Sequence, residues 1–302
     1  MNRHIVFLLV CLLAVGACKS DKSGGNEGGL AVPDDVKTEG VELEISEEVM
    51  QNIVQNISSP VEMAALIKNL NVEFSSKYLT SVDNVERFNT SFQQALNLGI
   101  YGADLGYLNM YNKTNSVIDY ISAIKTLADG IRVGQYFDFV TLKRLAQNNE
   151  NLDSLMYISV HSFNQVDKYL RTNNRSNLSA LIITGVWIEG LYLATQVYNE
   201  LPHPQLKERI GEQKLIMEKL FLVLENFKSD KQFAKLIAEL QVLEELYKGV
   251  SITYQKGEPE AVEQDGMLVI VQNDISIITI SDETLNTIIA KTAEIRDNVI
   301  NL

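Results

Sequence analysis

The sequence predicts a mainly α fold, an antiparallel multi-helix bundle with a small C-terminal β-hairpin and a terminal helix. Three observations lead there. Apolar residues recur at helical spacing through long stretches between about residue 84 and residue 250. Short Asn- or Pro-rich breaks separate them, as at Asn148-Asn149, Thr172-Asn173-Asn174 and Leu201-Pro202-His203-Pro204, and short connections make consecutive helices antiparallel neighbours. Near the C-terminus the pattern changes to β-branched runs, the composition of strands.

In chain order, residues 1–17 form a short apolar leader, and 18–40 read as a tether, with Gly24, Gly25, Gly28, Gly29 and Pro33 among charges and no periodic apolar spacing. About 20 residues of coil span on the order of 25 Å. An α-helical domain is expected over 41–255, with 256–302 packed on it. Its first helix start is Ser46, followed by Glu47 and Glu48, acids suited to the positive end of a helix. Ser59-Pro60-Val61-Glu62 has the layout of a capping box with proline at the first helical position. Helices follow at about 84–112, 115–130, 136–147, 150–172, 176–200 and 205–227.

Ser229-Asp230-Lys231-Gln232 repeats the capping logic. Beyond it, Phe233, Leu236, Leu240, Leu243, Tyr247 and Val250 share one helix face and predict a core-facing stripe. Met267–Val271 and Ile275–Ile280, on either side of Gln272-Asn273-Asp274, predict a hairpin, with Ser251–Tyr254 available as a third strand. A lone hairpin is marginal in water, so it must pack on the helices or gain that strand. Ser281-Asp282-Glu283 caps a last helix running to about Ile300.

The leader carries a localisation signal. Arg3 and His4 form a basic start, Ile5–Leu13 an apolar core, and Leu13-Ala14-Val15-Gly16-Ala17-Cys18 resembles a bacterial lipobox. The apolar run is well short of the roughly 20 residues that cross a bilayer core. The resemblance implies cleavage before Cys18, acylation of that cysteine and, with more than one chain attached, durable anchoring. Lys19 rather than aspartate next to it favours the outer membrane of the cell envelope, on its periplasmic or surface face. The chain has two cysteines, so the mature protein keeps only Cys18, already modified. Cysteine nucleophiles, disulfides, thiolate zinc sites and iron–sulfur clusters are excluded together.

The formal charge of −13 becomes −14 when Arg3 leaves with the leader, which argues against nucleic acid as a partner. Acidity of this kind keeps an anchored domain soluble. No phosphate loop of the Walker type, dinucleotide-binding glycine fingerprint, Gly-x-Ser-x-Gly elbow or His-Glu-x-x-His motif is present. No cofactor, no metal and no catalytic residue is expected, and the balance leans away from an enzyme.

The chain also echoes itself. Lys77-Tyr78-Leu79 followed by Leu98-Gly99-Ile100-Tyr101-Gly102-Ala103-Asp104-Leu105 parallels Lys168-Tyr169-Leu170 followed by Thr184-Gly185-Val186-Trp187-Ile188-Glu189-Gly190-Leu191. A duplicated helical hairpin explains the echo, and so does chance likeness between two apolar helices. Glycine costs about 1 kcal/mol inside a helix, so Gly99, Gly102, Gly106, Gly185 and Gly190 need a reason, and close helix crossing beside Tyr101, Tyr107, Tyr111, Trp187, Tyr192 and Tyr198 supplies one.

With its glycine–aliphatic–tyrosine element at 99–105, Trp187-Ile188-Glu189-Gly190-Leu191-Tyr192 and Glu294-Ile295-Arg296, the chain resembles a group of Gram-negative bacterial lipoproteins with no established activity. The resemblance implies the envelope address and the helical fold, and assigns no catalytic residue.

Asp104 and Glu189 are acids among apolar neighbours. Burial raises a carboxylate's pKa unless cations or donors accompany it, and such groups mark sites. Tyr101, Asp104, Trp187 and Glu189 are therefore the candidate ligand-binding residues, in a pocket between the two helical hairpins. The alternative is that each acid is hydrogen-bonded internally or faces solvent. Glu200-Leu201-Pro202-His203 has the Glu-x-x-His spacing of carboxylate-bridged metal bundles, but Pro202 and Pro204 break the turn it needs. His161 reads as a packing or surface histidine. A lipid-anchored interaction domain with an envelope protein as partner is the leading expectation, and a small-ligand binder the alternative.

Overall fold

The computed structural model describes residues 66–302, apart from 68, 112, 148–151, 258, 265–266 and 273–274. Cys18, the tether and the helix starts at Ser46 and Ser59 lie outside the described residues. Within them the fold is mainly α, as expected. The helices are α1 (Ser91–Met110), α2 (Thr114–Gly130), α3 (Phe139–Gln147), α4 (Leu152–Thr172), α5 (Ser176–Glu200), α6 (Pro204–Leu224), α7 (Lys231–Tyr247) and α8 (Asp282–Ile300). The strands are β1 (Ser251–Gln255), β2 (Pro259–Gln264), β3 (Met267–Gln272) and β4 (Ile275–Thr279).

Local signals set the helix starts, and several differ from the periodicity. The helix expected from residue 84 begins at Ser91, because Thr90 and Gln93 form a capping box. Thr90 Oγ1 accepts from Gln93 N at 3.2 Å, while Gln93 Oε1 accepts from Thr90 N at 3.2 Å and Asn89 N at 3.0 Å. Val82–Arg87 is instead a 3₁₀ turn. Likewise Gly134–Tyr136 is 3₁₀ and α3 begins at Phe139, after Asp138 accepts from Thr141 N at 3.0 Å. His203 caps α6 through its ring Nδ1, ahead of Pro204 at the first position, and α6 ends at Leu224 in a 3₁₀ turn. Asp230, not Ser229, caps α7, accepting from Gln232 N at 2.7 Å and Phe233 N at 3.3 Å. Ser281 caps α8 as expected, accepting from Thr284 N at 3.0 Å.

Consecutive helices pack against each other, but the most extensive interhelical contact joins the non-consecutive α1 and α5. α5 is long and apolar enough to cross a membrane, yet most of it is buried inside this fold, where it is a core helix. α8 closes over α5, α7 and α1. The α7 stripe meets the core as read from its spacing, with Phe233, Leu236, Leu240, Leu243, Tyr247 and Val250 all buried.

The strands pair differently from the expected hairpin. β1 pairs with β4, Ser251 opposite Thr279, and β2 with β3, Pro259 opposite Gln272, both antiparallel. The two ladders are two separate two-stranded sheets. In sequence Gln272-Asn273-Asp274 separates β3 from β4, but β3 pairs with β2, the strand before it, and not with β4. Ser251–Gln255 is a strand, but it partners β4 in its own sheet rather than flanking a β3–β4 hairpin. β4 rests on α6, where a Cβ on Gly211 would lie 2.5 Å from Ile278 Cγ2.

Candidate functional site

The α1–α5 crossing is where the candidate residues gather, and glycine sets its geometry. A Cβ on Gly99 would sit 2.1 Å from Ile182 O and 2.7 Å from Val186 N. One on Gly185 would sit 1.9 Å from Leu96 O and 3.2 Å from Ile100 N. The contacts are reciprocal, each glycine meeting the carbonyl three residues before its counterpart and the amide one residue after it. This is a local pseudo-twofold of backbone against backbone, centred on the two positions that the sequence echo aligns. The helices run in the same general sense, since Asp104 and Glu189, both C-terminal to the glycines, touch. The echo ends there: Lys77-Tyr78 lies in a 3₁₀ turn, whereas Lys168-Tyr169-Leu170 is inside α4. Gly102 faces the Phe163 ring at 2.7 Å, so it too marks close packing. Gly190 has nothing within 4 Å of an added Cβ, and close crossing does not explain it.

Beside the crossing lies a buried polar cluster. Asp104 and Glu189 have no solvent exposure, and Arg296 of α8 is 5% exposed. Arg296 forks onto Glu189, with Nε 3.0 Å from Oε2 and Nη2 3.2 Å from Oε1. The same Nη2 donates to Thr80 Oγ1 at 2.7 Å and Tyr78 O at 3.2 Å, and the guanidinium carbon stands 4.5 Å from the Tyr192 ring centroid. Asp104 Oδ2 accepts from Thr80 N at 3.0 Å.

The cluster's protonation follows from this geometry. Burial, then the Glu189 charge, pushes Asp104 well above the ordinary carboxylate range, against the opposing Thr80 hydrogen bond. Burial also raises Glu189, opposed by Arg296. Burial works to lower Arg296, and the Glu189 charge overrides it, so the guanidinium stays charged. The two carboxyls are in hydrogen-bond contact, and Asp104 Oδ1 accepts from no N–H or O–H. One proton on Asp104, donated to Glu189, satisfies both. The cluster is thus a neutral acid on a carboxylate–guanidinium pair, with no net charge to desolvate.

Its hydrogen bonds reach outward to one segment of chain, residues 72–81, which runs along α1 as a strap. Tyr111 Oη donates to Val72 O at 2.8 Å, Ser75 N to Tyr107 Oη at 3.1 Å, Tyr101 Oη to Ser81 O at 2.7 Å, and Tyr120 Oη to Thr80 O. With Asp104 on Thr80 N and Arg296 on Tyr78 O and Thr80 Oγ1, side chains of α1, α2 and α8 converge on ten residues of extended and 3₁₀ backbone. Burial accordingly raises the phenol pKa of Tyr101 and Tyr120.

The four candidate residues divide. Tyr101, Asp104 and Glu189 come together in this cluster. Trp187 belongs to another contact, its Nε1 donating to Gln213 Oε1 of α6 at 3.0 Å. All four are buried, and Tyr101, Asp104 and Glu189 show no exposed surface. A small void elsewhere, about 10 Å³ and walled by apolar side chains including Leu105, Phe137 and Phe163, has room for about one water molecule. Among the described residues no group of three or more His, Cys, Asp or Glu side chains is arranged to hold a metal ion. His161 is exposed on α4, with its ring stacked on Tyr157. Spacing alone missed Thr80 and Arg296. An arginine among Ile288, Thr292, Ile295 and Val299, all buried, was the available signal.

Comparison with protein-family models, curated proteins and solved structures finds no match to this chain.

The protonation assignment gives a pH prediction. A carboxyl that keeps its proton when folded binds more protons than in the unfolded chain, so its contribution to stability falls as pH rises above its ordinary value, near 4, up to its raised folded value. Asp104→Asn keeps the acceptor for Thr80 N and a donor for Glu189 without that titration. The variant should match the wild type near pH 4 and exceed it at higher pH, the gap growing by up to about 1.4 kcal/mol per pH unit. Urea unfolding at a series of pH values measures the gap, and a gap constant with pH would mean that Asp104 is ionised in the fold.

Proposed function

We propose that the chain is a lipid-anchored lipoprotein of the bacterial cell envelope, held in the outer membrane by acylated Cys18, whose helical body serves as a non-enzymatic interaction domain. The carrying observation is the lipobox-like Leu13–Cys18 behind a basic start and a short apolar core. Two features of the fold support an interaction role over chemistry. The buried titratable groups, which elsewhere mark catalytic sites, are engaged with one another and with the strap backbone. Their surroundings are closed by backbone contact between α1 and α5.

Intact-mass measurement of the chain expressed in a Gram-negative host tests the anchor. The mature protein should begin at Cys18 and carry the mass of its acyl chains, and labelled palmitate should enter it. Cys18→Ser should abolish the label and release the protein from the membrane fraction. An unmodified mature terminus in the wild type would refute the anchor.

A further inference from the structure

We propose that the outer face of the α3–α4 pair docks on an anionic phospholipid surface through exposed apolar side chains set among cations. The two helices pack on each other, and Phe139, Leu142 and Phe163 turn inward to one small void, so the opposite face of each looks outward. Helical spacing puts Val140, Lys143 and Arg144 together on α3, and Tyr157, Val160 and Lys168 together on α4. All six are exposed, Val140 by 82%, Tyr157 by 72% and Val160 by 47%.

Charge complementarity selects the occupant. The chain has 39 acidic against 26 basic residues, yet Lys143, Arg144 and Lys168 stand on this face and none of them is in an ion pair among the described residues. The nearby acids are engaged elsewhere. Asp138 caps α3 by accepting from Thr141 N at 3.0 Å, and Asp167 is bridged to Arg171 and accepts from Ser179 Oγ. Asp153 is in the first turn of α4, at the end of that helix away from Lys168. Salt limits the reach of a charge to about 10 Å, so the face acts locally despite the acidic total. Valine and tyrosine among lysine and arginine suit a lipid interface, where apolar groups enter the headgroup layer and cations meet phosphates. Each cation near such a surface favours binding about fivefold. That is weak for a free protein, but a chain tethered at Cys18 meets the bilayer at an effective concentration on the order of millimolar. The docking rests on the envelope reading for the presence of that bilayer.

The test is co-sedimentation of the chain from residue 18 onward, with Cys18→Ser and no leader, on vesicles of phosphatidylcholine alone or mixed equally with phosphatidylglycerol. No acyl chain is present, so this result and that for the anchor are independent. The chain should bind the mixed vesicles at low salt, bind the neutral ones far less, and come off as salt is raised. Lys143→Gln with Arg144→Gln should lower the partition constant about 25-fold, and Tyr157→Ser alone should lower it severalfold. Lys228→Gln with Lys235→Gln removes the same charge from exposed positions around the start of α7 and should leave it unchanged. Circular dichroism melting should be alike for all these variants. No binding to either vesicle, which would leave an acidic protein as the occupant, equal binding to both, or equal loss in the two double variants would overturn the proposal.

Discussion

Replacing Arg296 with methionine should lower the unfolding free energy by about 3 to 5 kcal/mol, the cost of leaving a buried carboxylate without its partner. Glu189 would keep its charge in a site with no exposure, and Thr80 Oγ1 and Tyr78 O would lose their donor. Methionine fills much of the volume, so the loss reports charge rather than a cavity. The control is Glu189→Gln combined with Arg296→Met. Glutamine still accepts the Asp104 proton through Oε1 and carries no charge, so the double variant should recover most of what the single one loses. Denaturant unfolding of the three chains checks this. A double variant as unstable as Arg296→Met alone would mean that packing, not the ion pair, is the source.

The second large effect belongs to the α1–α5 crossing. Gly185→Ala places a methyl 1.9 Å from Leu96 O, an atom of the neighbouring backbone that no rotamer change can move aside. The helices must separate along the contact that organises the core, and a loss of at least about 3 kcal/mol is expected, at or beyond the upper end of ordinary overpacking. Gly99→Ala should behave alike, since its methyl meets Ile182 O at 2.1 Å. Gly190→Ala, five residues from Gly185 in the same helix, meets nothing, and it should stabilise by about 0.5 to 1 kcal/mol through helix propensity alone. Thermal melts of the three variants should therefore move in opposite directions for Gly185 and Gly190.

That contrast shows how far the sequence could be read. Glycine within an apolar helical stretch signals an approach or a tolerated cost, and nothing local separates Gly185 from Gly190, which differ only in what lies across from them. The helices themselves were legible because their apolar spacing persists over several turns, as with Phe233 to Val250. Their ends were less so where periodicity ran past a cap: the stretch from residue 84 looked helical, but Thr90 and Gln93 start α1 at Ser91.

The strand pairing is hard to read for a similar reason. The β-branched runs mark the strands, but the strands on either side of Gln272-Asn273-Asp274 do not pair with each other, and Asp265-Gly266, between the paired β2 and β3, is the stronger hairpin dipeptide. In the cluster, Asp104 and Glu189 stood out as acids in apolar company. Their partners did not, because Arg296 is 107 residues from Glu189 and Thr80 is 24 from Asp104. An amphipathic pattern tells which residues are buried, and only the fold tells which of them meet.

The strap and cluster form one fastening: α1, α2 and α8 each contribute a side chain that holds Thr80 or its neighbours. Removing any one leaves a buried backbone group unpaired, with a cost of about 1 to 3 kcal/mol for each. The tyrosines are suited to this use, since burial keeps their hydroxyls protonated as donors to Ser81 O, Thr80 O and Val72 O.

Amide hydrogen exchange at Thr80 tests this fastening most directly. Its N–H is 3.0 Å from Asp104 Oδ2 in a residue 1% exposed, although it lies outside any α-helix or strand. It should exchange only as fast as the whole domain unfolds, and Arg296→Met should accelerate it in step with the loss of global stability. Exchange at the rate of an open loop amide in the wild type would contradict the clasp and leave the buried acids without their assigned role.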